Sequence, residues 1–458
     1  MVKRLGHLLV LLALVLSACG GATEESTTTA GDSPGTTEVE APPTTTEPPA
    51  TSTEVEEEGF DWRQFEGAEI RVLATQNPWQ AAIEPLLPEF EELTGIDVNF
   101  ESLPEEQFRQ RLQVELTAQS TEVDGFMSAV LQEGISFTRA GWYEDLTPFP
   151  ANPAITSPDY GFENFGAGLI EGHTIDGVLI GMPILTDTEM LYYRKDVLEA
   201  AGIEVPTTLE EFEAALAVVD DPNGARAWGS RGKGAAAVTQ MSTFLYNFGA
   251  DWTDDTGHAA FDTPEGVAAF DFYGRNLNAY GPTGVAGMSW EELMPLFQQG
   301  QLVFWNDSSA FLGSVIDPEQ AVDVENIGFA RMPAGPGGEY NSFFPWALSM
   351  SSLSQNKEAT WYFIQWATSR DVVDRLQAEG VAGARRDTTF PDTVPSEWVE
   401  VFQHNLEIAR PKLPLVVPVA EVRDAIGAAM VSIIGGGDAE TEVTRAAESF
   451  NRAVDAAG

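Results

Sequence analysis

The sequence predicts an α/β fold built as two lobes, and three observations lead to that prediction. From residue 69 onward the chain alternates strand-like and helix-like segments, the order that builds a sheet with helices on both faces. The part after residue 58 holds about four hundred residues, more than one ordinary hydrophobic core accommodates. A polar connection at residues 186–189 lies between two apolar, β-prone runs and suits a crossing between two lobes.

The N-terminal segment, residues 1–19, has the pattern of a lipoprotein signal peptide. Two basic residues precede an apolar run over residues 8–16, which is shorter than the about 20 residues needed to cross a bilayer. The run ends at a lipobox, Leu-Ser-Ala-Cys, and its Cys19 is the only cysteine in the chain. We therefore predict lipidation of Cys19, which would hold the protein at the extracellular face of the cell membrane, or in the periplasm if the host has an outer membrane.

Residues 20–58 predict a disordered tether. They are rich in Thr, Pro, Ser, Glu and Ala and contain almost no large apolar side chain, so they cannot bury enough surface to offset chain entropy. Random-coil scaling gives such a segment an end-to-end distance of roughly 35 Å. That reach is enough to hold a folded domain clear of a membrane surface.

The first folded elements follow from their apolar patterns. We predict a strand at residues 69–74, a helix near residues 81–93, a strand at residues 98–101 and a helix at residues 105–118. In sheets of this type ligands bind at the loops after the carboxyl ends of the strands. Loop residues after these strands are therefore candidates for a binding site.

The charge balance narrows the function. The chain has 24 basic and 71 acidic residues and a net charge of −47, which argues against a nucleic-acid ligand because phosphate binding needs clustered Lys and Arg. The 4 histidines are far apart and lack metal-ligand spacing, so we predict neither a metal nor another cofactor. No Gly-x-Ser-x-Gly elbow is present, and no carboxylate pair has a recognisable hydrolytic spacing. The sequence therefore predicts a protein that is not an enzyme.

The most informative pattern lies between residues 180 and 212. It contains the two β-prone runs, the polar connection between them and two helices. Gly202 ends the first helix, and Thr208 with Glu211 forms a capping box at the start of the second.

This region resembles the signature of family 1 extracellular solute-binding proteins, the sugar receptors of ABC importers. The resemblance runs from about residue 66 to the C-terminus, and later segments agree with it in order: residues 261–267, 297–310, 344–350 and 356–369. It implies a two-lobed, periplasmic-binding-protein-like fold of type II, in which each lobe is an α/β sheet with helices on both faces and a hinge connects them. The implied lobes are residues 66–187 plus 330–376 and residues 188–329 plus 377–458. The chain would then cross near Thr188, Arg331 and Gln377.

The resemblance also implies a function. We expect a lipid-anchored, monomeric receptor that binds a neutral sugar or sugar alcohol between its lobes, closes by hinge motion and delivers the ligand to the permease subunits of an ABC transporter. Residues 280–284 and 298–308 look most like members of the family that take sugars or sugar alcohols. Two alternatives remain: a receptor for a di- or oligosaccharide, and a secreted carbohydrate-active enzyme.

A sugar presents hydroxyl edges and apolar faces, so its pocket should combine aromatic rings with carboxylate, amide and guanidinium groups. Each candidate also has a structural interpretation, such as packing in the core, capping of a turn or a surface ion pair. The candidates from loops and strand ends are Gln76, Trp79 and Gln132 in the first lobe, Asp187 and Glu189 at the crossing, and Arg231, Trp305 and Asp307 in the second lobe. The family resemblance adds Trp346 and Arg385.

Overall fold

A computed structural model describes residues 59–457 of the chain. The predicted signal peptide, the lipidation site Cys19 and the predicted tether lie outside the described residues. Within residues 59–457 none of the helices combines the length and the apolar character that a membrane span requires.

Eleven strands occur in the described part of the chain. They are β1 (Glu69–Thr75), β2 (Asp97–Leu103), β3 (Gly125–Ala129), β4 (Thr174–Ile175), β5 (Val178–Leu179), β6 (Met182–Arg194), β7 (Arg226–Gly229), β8 (Leu302–Ser308), β9 (Ile327–Ala330), β10 (Asn341–Met350) and β11 (Ala409–Pro411).

The α-helices of the same part are α1 (Pro78–Ile83), α2 (Leu87–Thr94), α3 (Glu105–Thr117), α4 (Val130–Ala140), α5 (Ala167–Gly172), α6 (Lys195–Ala201), α7 (Leu209–Val219), α8 (Gly234–Phe248), α9 (Pro264–Tyr280), α10 (Trp290–Gln298), α11 (Leu312–Val315), α12 (Lys357–Ala367), α13 (Arg370–Ala378), α14 (Ser396–Glu407), α15 (Val419–Ile434) and α16 (Ala439–Ala457). Short 3-10 helices lie at Glu84–Leu86, Phe162–Phe165, Val285–Gly287, Ser309–Phe311 and Val324–Asn326.

One mixed sheet runs through both lobes in the order β2-β1-β3-β10-β6-β8-β7, with β11 beside β10 and β9 beside β6. In the first lobe β2, β1 and β3 are parallel, as expected for strands joined through helices, and β10 returns antiparallel to β3. In the second lobe β7 is parallel to β8, while β8 and β9 pair antiparallel with β6. The prediction of a two-lobed α/β fold is therefore confirmed.

The helix expected near residues 81–93 is interrupted. The structure has α1, a 3-10 turn over Glu84–Leu86 and then α2. Pro85 and Pro88 explain the break, because proline has no amide hydrogen and is accommodated in the first turn of a helix rather than in its interior. The capping box of Thr208 and Glu211 forms as predicted at the start of α7.

Strand β6 differs from its prediction. The sequence suggested two strands separated by a polar connection, but Met182–Arg194 is one continuous strand. Its first part pairs with β10 up to Thr188, and its second part pairs with β8 from Glu189 onward. Ladder pairing on both sides of this junction keeps the polar residues extended, so the backbone passes between the lobes without a loop.

The other two crossings lie later than expected. Residues 331–340 pack against the second lobe, because Asn247 of α8 donates to the Pro333 carbonyl at 3.1 Å and accepts from the Tyr340 amide at 2.7 Å. The chain therefore returns through β10 rather than at Arg331. It also remains on the first lobe beyond Gln377, since Arg385 donates to first-lobe carbonyl oxygens.

Candidate functional site

A cleft of about 670 Å³ lies between the lobes, beside the crossing strands β6 and β10. Residues of both lobes and of the crossing line this cleft, so a ligand bound in it would contact three parts of the fold. The lining includes Gln76, Glu105, Arg109 and Gln132 of the first lobe, Asp187, Trp346 and Lys412 at the crossing, and Arg231, Gln240, Trp290, Phe311 and Arg423 of the second lobe.

An aromatic stack forms the second-lobe wall of the cleft. The rings of Trp290 and Phe311, which line the cleft, stack with centroids 5.0 Å apart. Phe311 stacks in turn on Trp305 at 5.7 Å, and Trp305 on Tyr192 at 5.1 Å. Trp305 is fully buried and does not line the cleft, so it supports the wall from behind. An apolar sugar face fits against such a surface.

The opposite side has a second aromatic residue. Trp346 on β10 lines the cleft, and the Arg109 guanidinium lies 5.6 Å from the centre of its ring. Arg109 is held in place by a salt bridge to Glu105 at 2.6 Å and by a contact with Glu133. Burial alone would raise the pKa of Glu105, but its neighbour Arg109 outweighs this effect and lowers that pKa, so the carboxylate remains charged.

The floor of the cleft contains a buried ion pair between Arg231 and Asp307. Asp307 is fully buried and accepts from Arg231 Nε at 2.9 Å, from the second arm of the same guanidinium and from Gln240 Nε2 at 3.2 Å. Burial opposes the charge of Arg231, but Asp307 overcomes that penalty and raises the pKa of Arg231. Asp307 therefore positions Arg231, which itself lines the cleft.

A second ion pair lies at the crossing. Lys412 Nζ donates to Asp187 Oδ1 at 2.8 Å, and both side chains are almost completely buried. Next to Asp187 along β6, Glu189 is fully buried and accepts from Thr243 Oγ1 at 2.6 Å and Ser342 Oγ at 3.2 Å. Burial raises the pKa of Glu189 to about 7, and the nearby charge of Lys412 opposes that shift.

The structure brings five of the predicted site residues to the cleft and places the others elsewhere. Those that line it are Gln76, Gln132, Asp187, Arg231 and Trp346. Those that do not are Trp79, Glu189, Trp305, Asp307 and Arg385.

Two of the residues predicted to contact the ligand, Trp79 and Arg385, are buried away from the cleft. Trp79 is fully buried in the first-lobe core, on the buried side of α1, which begins directly after β1. Arg385 is buried as well, and its guanidinium donates to the carbonyl oxygens of Tyr160 at 2.9 Å and Thr368 at 3.2 Å. It also pairs with Asp387 at 2.8 Å and so fastens a loop to the first lobe.

Several cleft residues were not among the predicted ones: Arg109, Trp290, Phe311, Lys412 and Arg423. Two of them had a usable signal in the sequence. Trp290 lies in the first turn of α10, inside the capping box of Ser289 and Glu292. Lys412 is followed by an apolar stretch, an unusual position for a lysine in a chain that has so few.

The cleft combines polar and aromatic groups. It offers amide, carboxylate and guanidinium groups around aromatic faces, which together match hydroxyl groups and CH surfaces. Within residues 59–457 no cluster of three or more potential His, Cys, Asp or Glu ligands could hold a metal ion.

Comparison with known proteins agrees with the resemblance found in the sequence. Residues 74–374 match the family described as bacterial extracellular solute-binding protein. The chain is 28% identical over 373 residues to the erythritol/L-threitol-binding protein of Mycolicibacterium smegmatis, covering 75% of this chain and 77% of that one. It is 28% identical over 377 residues to the mannitol-binding protein of Pseudomonas aeruginosa, covering 78% and 83%.

Solved structures show the same fold. An ABC transporter solute-binding protein from Agrobacterium radiobacter K84, in complex with ribitol, superposes with a TM-score of 0.76 at 20% identity and covers 84% of this chain and 99% of its own. A maltose-bound MalE3 from T. maritima superposes with a TM-score of 0.75 at 24% identity, covering 84% and 99%. The match over residues 74–374 includes the crossing strands β6 and β10 and the cleft residues Trp290 and Trp346. The chain belongs to the bacterial extracellular solute-binding proteins.

Proposed function

We propose that this protein is the receptor of an ABC importer for a sugar alcohol or a related sugar, and that the cleft is its binding site. The observation that supports the ligand class best is the pair of aromatic surfaces, Trp290 and Trp346, on a cleft whose other walls carry amide and charged groups. The relatives at 28% identity, named for erythritol, L-threitol and mannitol, support the same class.

Binding would be coupled to closure of the lobes. The cleft lining comes from both lobes, so a ligand that contacts both stabilises the closed form over the open form. The closed receptor would then present a joined surface to the permease. In this proposal the protein acts as a monomer, is held at the outer face of the membrane by lipid on Cys19 and does not convert its ligand.

A ligand screen tests the proposal. We expect D-mannitol, ribitol or erythritol to raise the thermal unfolding midpoint, because a ligand that binds only the folded state stabilises it by mass action. Calorimetry should then show one site per chain. Trp346→Ala and Trp290→Ala should each weaken that binding at least about tenfold, equivalent to about 1.4 kcal/mol, because each removes an aromatic surface from the cleft.

The control is Trp142→Ala, at a half-buried tryptophan that does not line the cleft. It should leave the affinity unchanged. Absence of binding to alditols, sugars and disaccharides alike would contradict the proposed ligand class. Catalytic consumption of a glycoside during the same incubation would contradict a pure binding function.

A further inference from the structure

The N-terminal end of α8 opens into the cleft without a capping group. Its N-cap residue, Lys233, makes no side-chain capping hydrogen bond, and the first turn contains no acidic residue. The amides of Gly234 and Ala235 have no acceptor within residues 59–457. Unpaired amides and the helix dipole give this end of a 15-residue helix a partial positive charge.

The local sequence places small residues at this end of the helix. Gly234 has φ +45°, and a Cβ at Gly232 would lie 2.3 Å from the Val285 carbonyl oxygen, so larger residues are excluded at that point. The next two residues are alanines, Ala235 and Ala236, and both line the cleft. Their side chains extend only one methyl group into the cleft.

Arg423 on α15 supplies a second, independent group at the same place. It is only 7% exposed and lines the cleft. One terminal nitrogen of its guanidinium donates to the Ala235 carbonyl oxygen at 2.9 Å, and its Nε has no hydrogen-bond partner among the described residues. Glu105 and Asp424 act on this guanidinium through space rather than by hydrogen bonds.

Close packing fixes Arg423 beside the helix end. A Cβ at Gly427, one turn further along α15, would lie 2.3 Å from the carbonyl carbon of Gly234, so only glycine allows this approach. The two helices therefore meet without an intervening side chain. The guanidinium is thereby held beside the first turn of α8, on the Ala235 carbonyl.

The nearby cations increase the positive character of this corner. Burial and the charges of Arg109 and Arg231 lower the pKa of Arg423 to about 10. Arg109 and Arg231 have carboxylate partners of their own, Glu105 and Asp307, whereas Arg423 has no salt bridge within residues 59–457. A buried guanidinium without a counter-ion is unfavourable, and an incoming anion would remove that cost.

We propose that the first turn of α8 and Arg423 form an oxyanion subsite, and that the receptor prefers a polyol acid whose carboxylate binds there. The hydroxylated chain of the ligand would extend along Trp290 and Trp346. This inference rests on the proposed function and narrows it, because it replaces the neutral ligand expected from the sequence with an acidic relative. A carboxylate can accept from the guanidinium and the helix amides together, which a terminal hydroxyl cannot do equally well.

Matched pairs of ligands test the subsite directly. An aldonate differs from its alditol at one terminal carbon, so ribitol with D-ribonate and D-mannitol with D-mannonate isolate the contribution of the carboxylate. For at least one pair, calorimetry at neutral pH should show that the aldonate binds at least about tenfold more tightly than its alditol. A tenfold difference in Kd corresponds to about 1.4 kcal/mol of binding free energy. D-mannitol 1-phosphate separates a carboxylate from a phosphate preference: tighter binding than D-mannonate would overturn the assignment to polyol acids.

Two variants separate the subsite from the rest of the cleft. Arg423→Gln should weaken aldonate binding at least about tenfold more than it weakens alditol binding, and so remove the preference between them. Ala235→Asp places an internal carboxylate at the helix end, so it should block the aldonate while raising the thermal midpoint. Arg452→Gln, at an exposed arginine of α16 outside the cleft, should leave the affinities of both ligands unchanged.

The outcomes distinguish this inference from the proposed function. Equal affinity for the two members of each pair, or an equal loss of both with Arg423→Gln, would overturn the oxyanion subsite and leave the polyol receptor intact. Binding of neither alditols nor aldonates would contradict both.

Discussion

At the scale of single residues, the cleft depends on side chains that do not reach it. Asp307 is fully buried, yet its two oxygens fix the Arg231 guanidinium that lines the cleft. Trp305 likewise supports Phe311 from behind. A residue that lines the cleft would contact a ligand directly, whereas the buried residue behind it acts by holding the first one in place. Mutation of the buried residue should therefore affect stability as well as binding.

The Asp307–Arg231 pair gives the first prediction at this scale. Asp307→Asn keeps the shape but removes the charge, so Arg231 is left buried without its counter-ion. We expect a loss of about 3 kcal/mol in the free energy of unfolding, the cost typical of a broken buried pair, measured by urea denaturation. The same substitution in an exposed pair, Asp374→Asn beside Arg370, should cost about 0.5 kcal/mol or less. Equal losses in the two variants would show that Asp307 has no special role in stability.

The sequence predicted which types of residue form the site, but not whether each side chain is buried in the core or lines the cleft. Trp79 lies in α1 directly after β1 and Trp346 lies within β10, yet the first is in the core and the second lines the cleft. The choice depends on the direction in which the neighbouring helix or strand turns the ring, which local sequence does not specify. Arg109 and Arg423 were missed for the same reason, since on a helix their face is set by tertiary packing.

At the scale of elements, β6 is the segment that connects the lobes. It pairs with β10 on one side of the crossing and with β8 on the other, and both edges of that junction are hydrogen-bonded. Glu189 lies at the junction on β6, with hydrogen bonds from Thr243 of α8, Ser342 of β10 and Asn306 of β8. Four elements therefore meet at one buried carboxyl group.

This carboxyl group predicts a pH dependence of stability. Burial raises the pKa of Glu189 to about 7, from an ordinary value of 4.5. Below pH 4.5 the folded and unfolded states both hold the proton, and between pH 4.5 and 7 only the folded state does, so this group lowers stability as pH rises. Above pH 7 the cost reaches about 3 kcal/mol. Glu189→Gln should therefore gain stability relative to wild type as pH rises from 4.5 to 8.

Urea denaturation of both proteins across this pH range measures that difference. Glu421→Gln, at an exposed glutamate of α15, controls for the loss of one negative charge from an acidic protein. A constant difference between Glu189→Gln and wild type at every pH would contradict the prediction.

Elements with a clear apolar period were predicted well, and the exceptions have identifiable causes. The strand at residues 69–74 and the helix at residues 105–118 agree with β1 and α3 within a residue or so. The helix at residues 81–93 was predicted from its apolar pattern while Pro85 and Pro88 interrupt it. The continuity of β6 was missed because the polar residues in its middle are stabilised by partners from distant parts of the chain. A local sequence pattern does not reveal such partners.

At the scale of the whole molecule, charge limits how the protein can remain at a membrane. The chain carries a net charge of −47, and bacterial membranes with anionic lipids repel such a protein. No helix of residues 59–457 could span the bilayer. The proposed acyl chains on Cys19 would then hold the protein against this repulsion, without help from its net charge.

A substitution at Cys19 tests the proposed anchor. Cys19→Ser removes the acceptor for lipid, so the protein should move from the membrane fraction to the soluble fraction, because the acyl chains proposed to hold it are lost. Wild-type protein should stay with the membrane at both low and high salt, whereas electrostatic attachment would weaken as salt screens it. Both proteins should bind the same polyol with the same affinity, since the predicted tether separates Cys19 from the folded domain. Retention of Cys19→Ser protein on washed membranes would show that another part of the chain provides the anchor.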